Sequence, residues 1–134
     1  MATVAPPADP ESDPRVKAVF DDIRQARGTD YINNVWRYLA FDPGLLESAW
    51  ADIKAVMGTP SALDPKTKEM LYVAVSIANG CGYCTHSHTA AARNKGMTPE
   101  EYADLLRVVG TASRLNALLS AIDVPVDDIY RAQG

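Results

Sequence analysis

The side chains with redox or metal chemistry are collected in one stretch, EMLYVAVSIANGCGYCTHSH (residues 69–88). It holds both cysteines, Cys81 and Cys84, both histidines, His86 and His88, and one carboxylate, Glu69. On a helix turning about 100° per residue, Cys84 falls at about 300° and His88 at about 340° relative to Cys81. Those three share an arc of about 60°, whereas His86 falls at about 140°, on another face. Cysteine chemistry needs the thiolate, and an ordinary thiol ionises near pH ~8.5. A helix N-terminus favours an anion through its unpaired N–H groups and dipole. His88, four residues after Cys84, can accept the thiol proton or pair with the thiolate. The C-x-x-C spacing supplies a second thiol, so an oxidised sulfur can resolve to a disulfide without large backbone movement. Glu69 can orient His88 or relay its proton if the chain turns back at Asn79-Gly80.

Other readings of the same residues are weaker. Two buried helix cysteines can pack as small hydrophobes. Cys81, Cys84, His88 and Glu69 could also bind zinc with mixed sulfur, nitrogen and oxygen ligands, but structural zinc sites usually draw ligands from two separate segments. Covalent haem needs a histidine directly after the second cysteine, where this chain has Thr85. His86 reads as a partly exposed helix residue. Tyr83 either touches substrate or covers the site. Trp36 and Trp50 read as core or subunit interface, and Tyr72 and Tyr102 as packing residues.

The elements that must hold this stretch are helical. Residues 1–13 contain three prolines, Pro6, Pro7 and Pro10. They show little apolar periodicity, which reads as a flexible arm before a domain over 14–134. Pro14 opens a helix with Val16, Val19, Phe20 and Ile23 on one stripe, closed by Gly28. Residues 31–40 form a second helix, and Asp42-Pro43 opens a third with Leu46, Trp50 and Ile53 facing inward. Asp64-Pro65 opens a fourth, whose residues 70–78 are apolar nearly all round, so it is expected at the centre, buried on every face. A fifth spans 81–95. Thr98 and Glu101 make a capping box for a sixth reaching about residue 121, with Tyr102, Leu105, Leu106, Val109, Leu115, Leu118 and Ile122 expected inward. No period-two alternation points to strands. The class is all-α, a single domain of about six helices.

The bulk numbers narrow the partners. The chain has 134 residues, 47% of them hydrophobic and 22% charged. That balance can build an ordinary globular core. Its net charge is −4, which gives no attraction to nucleic acid or an anionic membrane. No uninterrupted apolar run reaches the roughly 18–20 residues that span a bilayer. No Lys or Arg precedes Arg15, so the N-terminus does not read as a secretory signal, and a cytoplasmic location is expected. In a reducing compartment, two cysteines this close read as redox or metal residues.

Written out, Glu69, Cys81, Cys84 and His88 form E-x11-C-x2-C-x3-H. This resembles the signature of the AhpD-like alkylhydroperoxidases of the carboxymuconolactone decarboxylase superfamily, and residues 63–110 look like that family's core helices. The resemblance implies an all-helical subunit that assembles into homotrimers or homohexamers. It implies a cysteine-dependent peroxidase or thiol–disulfide oxidoreductase, with Cys84 as the peroxide-reacting thiol, Cys81 as the resolving one, and His88 and Glu69 as a proton relay. The partners expected on this reading are a hydroperoxide and an external dithiol of lipoyl or thioredoxin type, with no bound cofactor and no metal. The best-known member has histidine where this chain has Tyr83. Lactone chemistry of the decarboxylase type and non-catalytic redox sensing are the competing functions.

Overall fold

Four of the six α-helices begin on a proline, and each is capped by the side chain before it. These are α1 (Pro14–Arg27), α3 (Pro43–Met57), α4 (Pro65–Ala78) and α6 (Pro99–Ile122). Proline lacks an N–H that the first turn could not pair anyway, and its fixed φ suits helix entry. Asp13, Asp42, Asp64 and Thr98 accept from the N–H groups of Arg15, Leu45, Thr67 and Glu101. Glu101 also accepts from Thr98 N–H, which completes the capping box. The remaining helices are α2 (Asn34–Leu39), shorter than expected, and α5 (Gly82–Asn94). The computed structural model describes residues 1–131, and among them there is no strand. The all-α class with six helices follows. Helices α1–α3 lie in one compact unit, Met1–Ser61; α4–α6 lie in a second that begins at Ala62.

In the first unit, Val16, Phe20 and Ile23 of α1 are buried against Leu46 and Trp50 of α3 and Trp36 of α2. The two indole rings meet edge to face with centroids 5.3 Å apart, a favoured aromatic geometry. Trp50 donates Nε1–H to Asp22 Oδ2 at 2.7 Å, which satisfies its buried polar atom. Lys54 donates to the same carboxylate. Hydrogen bonds from Lys54 and Trp50 hold the Asp22 carboxyl below its usual range, because both favour the charged form. Residues 10–12 form a 3-10 turn. Arg24 grips Glu11 there with both guanidinium nitrogens, at 2.7 and 3.0 Å, the bidentate geometry that suits a carboxylate.

In the second unit α4 packs chiefly on α5 and also on α6, with Lys66 donating to Glu101 at 2.8 Å across the α4–α6 seam. The expectation that α4 is buried all round is corrected here: Leu71 is 51% and Val75 is 59% exposed. Its partners in the unit cover the Glu69, Val73 and Ser76 side and leave the opposite apolar side open. The inward set expected on α6 is corrected as well. Leu105 is buried, but Leu106, Leu115, Leu118 and Ile122 are exposed. α6 runs through Gly110 without a break. By length and composition it is the one described helix that would suffice to cross a membrane, with a mean hydropathy of 1.2. Counting only uninterrupted apolar runs missed it. Arg107 and Arg114 break the run, but a windowed average tolerates isolated charges.

The first unit depends on the apolar stripe of α1 packing on α3. Ile23 is fully buried. Ile23→Ala should therefore cost about 2–5 kcal/mol, measured as a lowered urea midpoint at unchanged m-value.

Candidate active site

The site begins at the turn between α4 and α5. Asn79 caps α4, and Gly80 follows with a φ of 72°. This is the left-handed conformation, which glycine adopts without steric cost. Gly80 N–H then donates to Ile77 O at 3.1 Å and Cys81 N–H to Ser76 O at 2.9 Å, the paired bonds of a Schellman turn. Cys81 is also the N-cap of α5, its sulfur accepting from Cys84 N–H at 3.2 Å. One residue therefore closes the first helix and opens the second. This folds α5 back along α4, as the dipeptide Asn79-Gly80 suggested.

Cys81 and Cys84 are joined as a disulfide, with Cα atoms 5.3 Å apart. That separation is ordinary for such a bridge. Both half-cystines are partly buried at the start of α5. Thr85 Oγ1 donates to Cys81 O at 2.9 Å, fastening the bridge's backbone to the helix. His88 lies one turn beyond Cys84 on the same helix.

Fold-back brings Glu69 to His88. Glu69 Oε2 and His88 Nδ1 are 2.7 Å apart, and Glu69 is 4% exposed. Its second oxygen, Oε1, accepts from Lys95 Nζ at 2.7 Å. The Tyr72 ring, three residues after Glu69 on α4, stacks on the imidazole with centroids 3.6 Å apart and planes 20° from parallel. His88 is thus held by a carboxylate at one nitrogen and by an aromatic face. Burial works against the Glu69 charge and is the largest single influence on it. The bonds from His88 and Lys95, with the charge of each, together outweigh that penalty and hold the carboxyl below its usual range. Bonds and opposite charges both favour the ionised form.

Of the residues singled out by spacing, Glu69 meets His88, and Cys81 meets Cys84. His86 is exposed, as its helical bearing suggested. Tyr83 is 46% exposed at the start of α5. Tyr72 does pack, as expected, but what it packs against is the imidazole. Lys95 was overlooked. The signal was present: it lies seven residues after His88, two turns along the same helical face. Among the described residues, no group of three or more His, Cys, Asp and Glu side chains is arranged to hold a metal ion.

The lowered Glu69 carboxyl fixes a pH dependence. In the unfolded chain it would take up its proton near its ordinary pKa of 4.5, earlier on acidification than in the fold. Its contribution to stability is therefore whole above that pH and lost as pH falls through the folded value. Urea unfolding between about pH 6 and about pH 3 should show this slope, and Glu69→Gln should make it shallower while lowering stability at neutral pH by about 1–3 kcal/mol.

Comparison with known proteins agrees with the architecture. Residues 44–127 match the carboxymuconolactone decarboxylase family. The crystal structure of the alkylhydroperoxidase AhpD core from Rhodospirillum rubrum is 55% identical and superposes with a TM-score of 0.92 over 97% of each chain. Alkyl hydroperoxide reductase AhpD of Solibacter usitatus is 38% identical over 66 residues, covering 49% of this chain and 36% of that protein. The AhpD of Mycobacteroides abscessus is 29% identical over 84 residues, 59% of this chain and 47% of that one. The chain thus spans between about a third and a half of the length of these curated relatives. It belongs to the carboxymuconolactone decarboxylase family and is AhpD-like within it.

Proposed function

We propose that the protein is a cysteine-dependent peroxidase of the alkylhydroperoxidase type, cycling between dithiol and disulfide at Cys81 and Cys84. The observation that carries this reading is a bridged cysteine pair at a helix N-terminus, one turn before a histidine that is itself bonded to a buried carboxylate. In the reduced enzyme the Cys84 thiolate attacks the terminal oxygen of ROOH. The O–O bond breaks, Cys84 becomes a sulfenic acid, and the departing alkoxide takes a proton from His88 and leaves as ROH. Cys81 then attacks the Cys84 sulfur, forming the disulfide and releasing water. An external dithiol of lipoyl or thioredoxin type restores the pair by exchange and is itself oxidised. The residues assigned are Cys84 as nucleophile, Cys81 as resolving thiol, and His88 with Glu69 as proton relay. Lactone decarboxylation would leave the dithiol without a part. Redox sensing would use the bridge without turnover. The chemistry suits a reducing compartment such as the cytoplasm.

We further propose that the protein works as a homo-oligomer, a trimer or hexamer. Leu115, Leu118, Leu119 and Ile122 form a stripe at i, i+3, i+4 and i+7 on α6, the spacing of one helical face. All four are exposed, from 46% at Leu118 to 69% at Ile122. Ser113, Asn116 and Ser120 lie on the opposite side. A helix apolar on one face and polar on the other suits packing against another protein surface better than immersion in lipid.

Two experiments test these readings. With cumene hydroperoxide and dithiothreitol, the protein should turn over, and Cys84→Ser should lose about 100-fold or more of the rate. Cys81→Ser should consume one equivalent of peroxide and stop at a sulfenic acid that dimedone traps. Oxidation of the pair without turnover would leave only the sensor. Light scattering after gel filtration should give a mass of three or six chains, reduced by Leu118→Glu; a monomeric native protein would overturn the assembly.

A further inference from the structure

The relay as read from the signature has two members, a carboxylate and a histidine, and that pair alone presents a difficulty. A buried carboxylate against an imidazole favours the imidazolium, since an opposite charge at hydrogen-bond distance stabilises the charged form. A histidine locked in that state takes up no proton. A third group meets the same carboxylate. Lys95 Nζ occupies the Glu69 oxygen that His88 does not use, and both bonds are 2.7 Å long. With Glu69 and Lys95 both charged, the carboxylate is already compensated when His88 is neutral.

We propose that Lys95 is a positioning residue that neutralises Glu69 from its second oxygen, so that His88 can both take up and give back a proton. This deepens the peroxidase reading and rests on it for its catalytic meaning. The backbone is built to hold Lys95 in place. It is the C-cap of α5, and Gly96 follows with a φ of 97°. Gly96 N–H donates to Arg93 O and Met97 N–H to Ala92 O, both at 3.0 Å, a second Schellman turn. Met97, 5% exposed, anchors the far side. A cation at that end of a helix also meets the negative pole of the dipole.

The groups that meet Glu69 and His88 come from α4 and from α5 with its caps. α4 contributes Glu69 and the phenol ring of Tyr72, and α5 contributes Lys95 and, one turn back, the Cys81–Cys84 bridge. The charges nearby are engaged elsewhere: Glu101 of α6 accepts from Lys66, and Arg93 lies over the Tyr102 ring. His86 is exposed. Lys95 is therefore the cation that compensates Glu69.

The test uses the disulfide form, in which neither cysteine titrates. The His88 ring protons are followed by NMR against pH, with His86→Gln identifying which signal is which. Lys95→Gln keeps a hydrogen-bond donor for Glu69 but removes the charge. It should move the His88 titration upward by about one pH unit, and Lys95→Arg should restore it. In the reduced enzyme, Lys95→Gln should lower turnover at neutral pH, by at most about tenfold for a one-unit shift, because the proton stays longer on His88. Circular dichroism should be unchanged, since the Lys95 side chain is 37% exposed at a helix end. A His88 titration unmoved by Lys95→Gln would overturn the proposal even if the protein reduces peroxide. Absence of peroxide turnover in the unsubstituted protein would overturn the peroxidase reading instead, with the Lys95 proposal then judged on the titration alone.

Discussion

The second unit is arranged around one buried carboxylate. Glu69 sits on the face of α4 that also carries Val73 and Ser76, turned toward α5 and almost out of contact with water. An unpaired carboxylate there would be costly enough to be protonated or expelled. Two partners from the α5 segment, His88 and Lys95, supply a bond to each oxygen. Removing either leaves a buried charge half satisfied, which is why the α4–α5 alignment and the ionisation of Glu69 are one constraint rather than two. That constraint also orients the imidazole, because Tyr72 on α4 closes its flank.

The alignment in turn depends on two glycine turns of the same kind. Gly80 lets α4 end and α5 start within a few residues, and Gly96 ends α5 just past Lys95. Between them lie Cys81, Cys84, His88 and Lys95, on one helix and its two caps, the start being capped by a sulfur. The anion-favouring end of α5 faces the cysteine pair, and the cation-favouring end carries the lysine. A single helix thus matches thiol and ammonium to its two poles. The first unit uses different means: an aliphatic and aromatic core with a Trp50–Asp22–Lys54 contact at its rim.

Much of this was legible beforehand because the signals are local. Proline after Asp or Thr marked four helix starts. Helical bearing separated His88 from His86. The turn expected at Asn79-Gly80 allowed Glu69 to come back to His88, and it does. What escaped depended on partners distant in sequence. Leu71, Val75 and Leu118 are apolar, and apolarity says that a residue favours burial, not what will bury it. In this chain they remain exposed. Lys95 escaped because a lysine at a helix end is ordinarily a surface charge; its spacing places it on the face of His88 but does not show that a carboxylate on another helix lies within reach.

By itself, then, the amino-acid sequence determined the helices, their caps and turns, the cluster of two thiols with one histidine on a common face, and the family signature. All of these are set by contacts within a few residues or by fixed spacing along the chain. Tertiary structure alone decided which oxygen of Glu69 meets His88 and which meets Lys95, that Tyr72 stacks on His88, and which apolar faces of α4 and α6 stay uncovered. The reason is physical: hydrogen bonds across helices need registry to within about 0.5 Å, and only the packed pair of helices defines that registry.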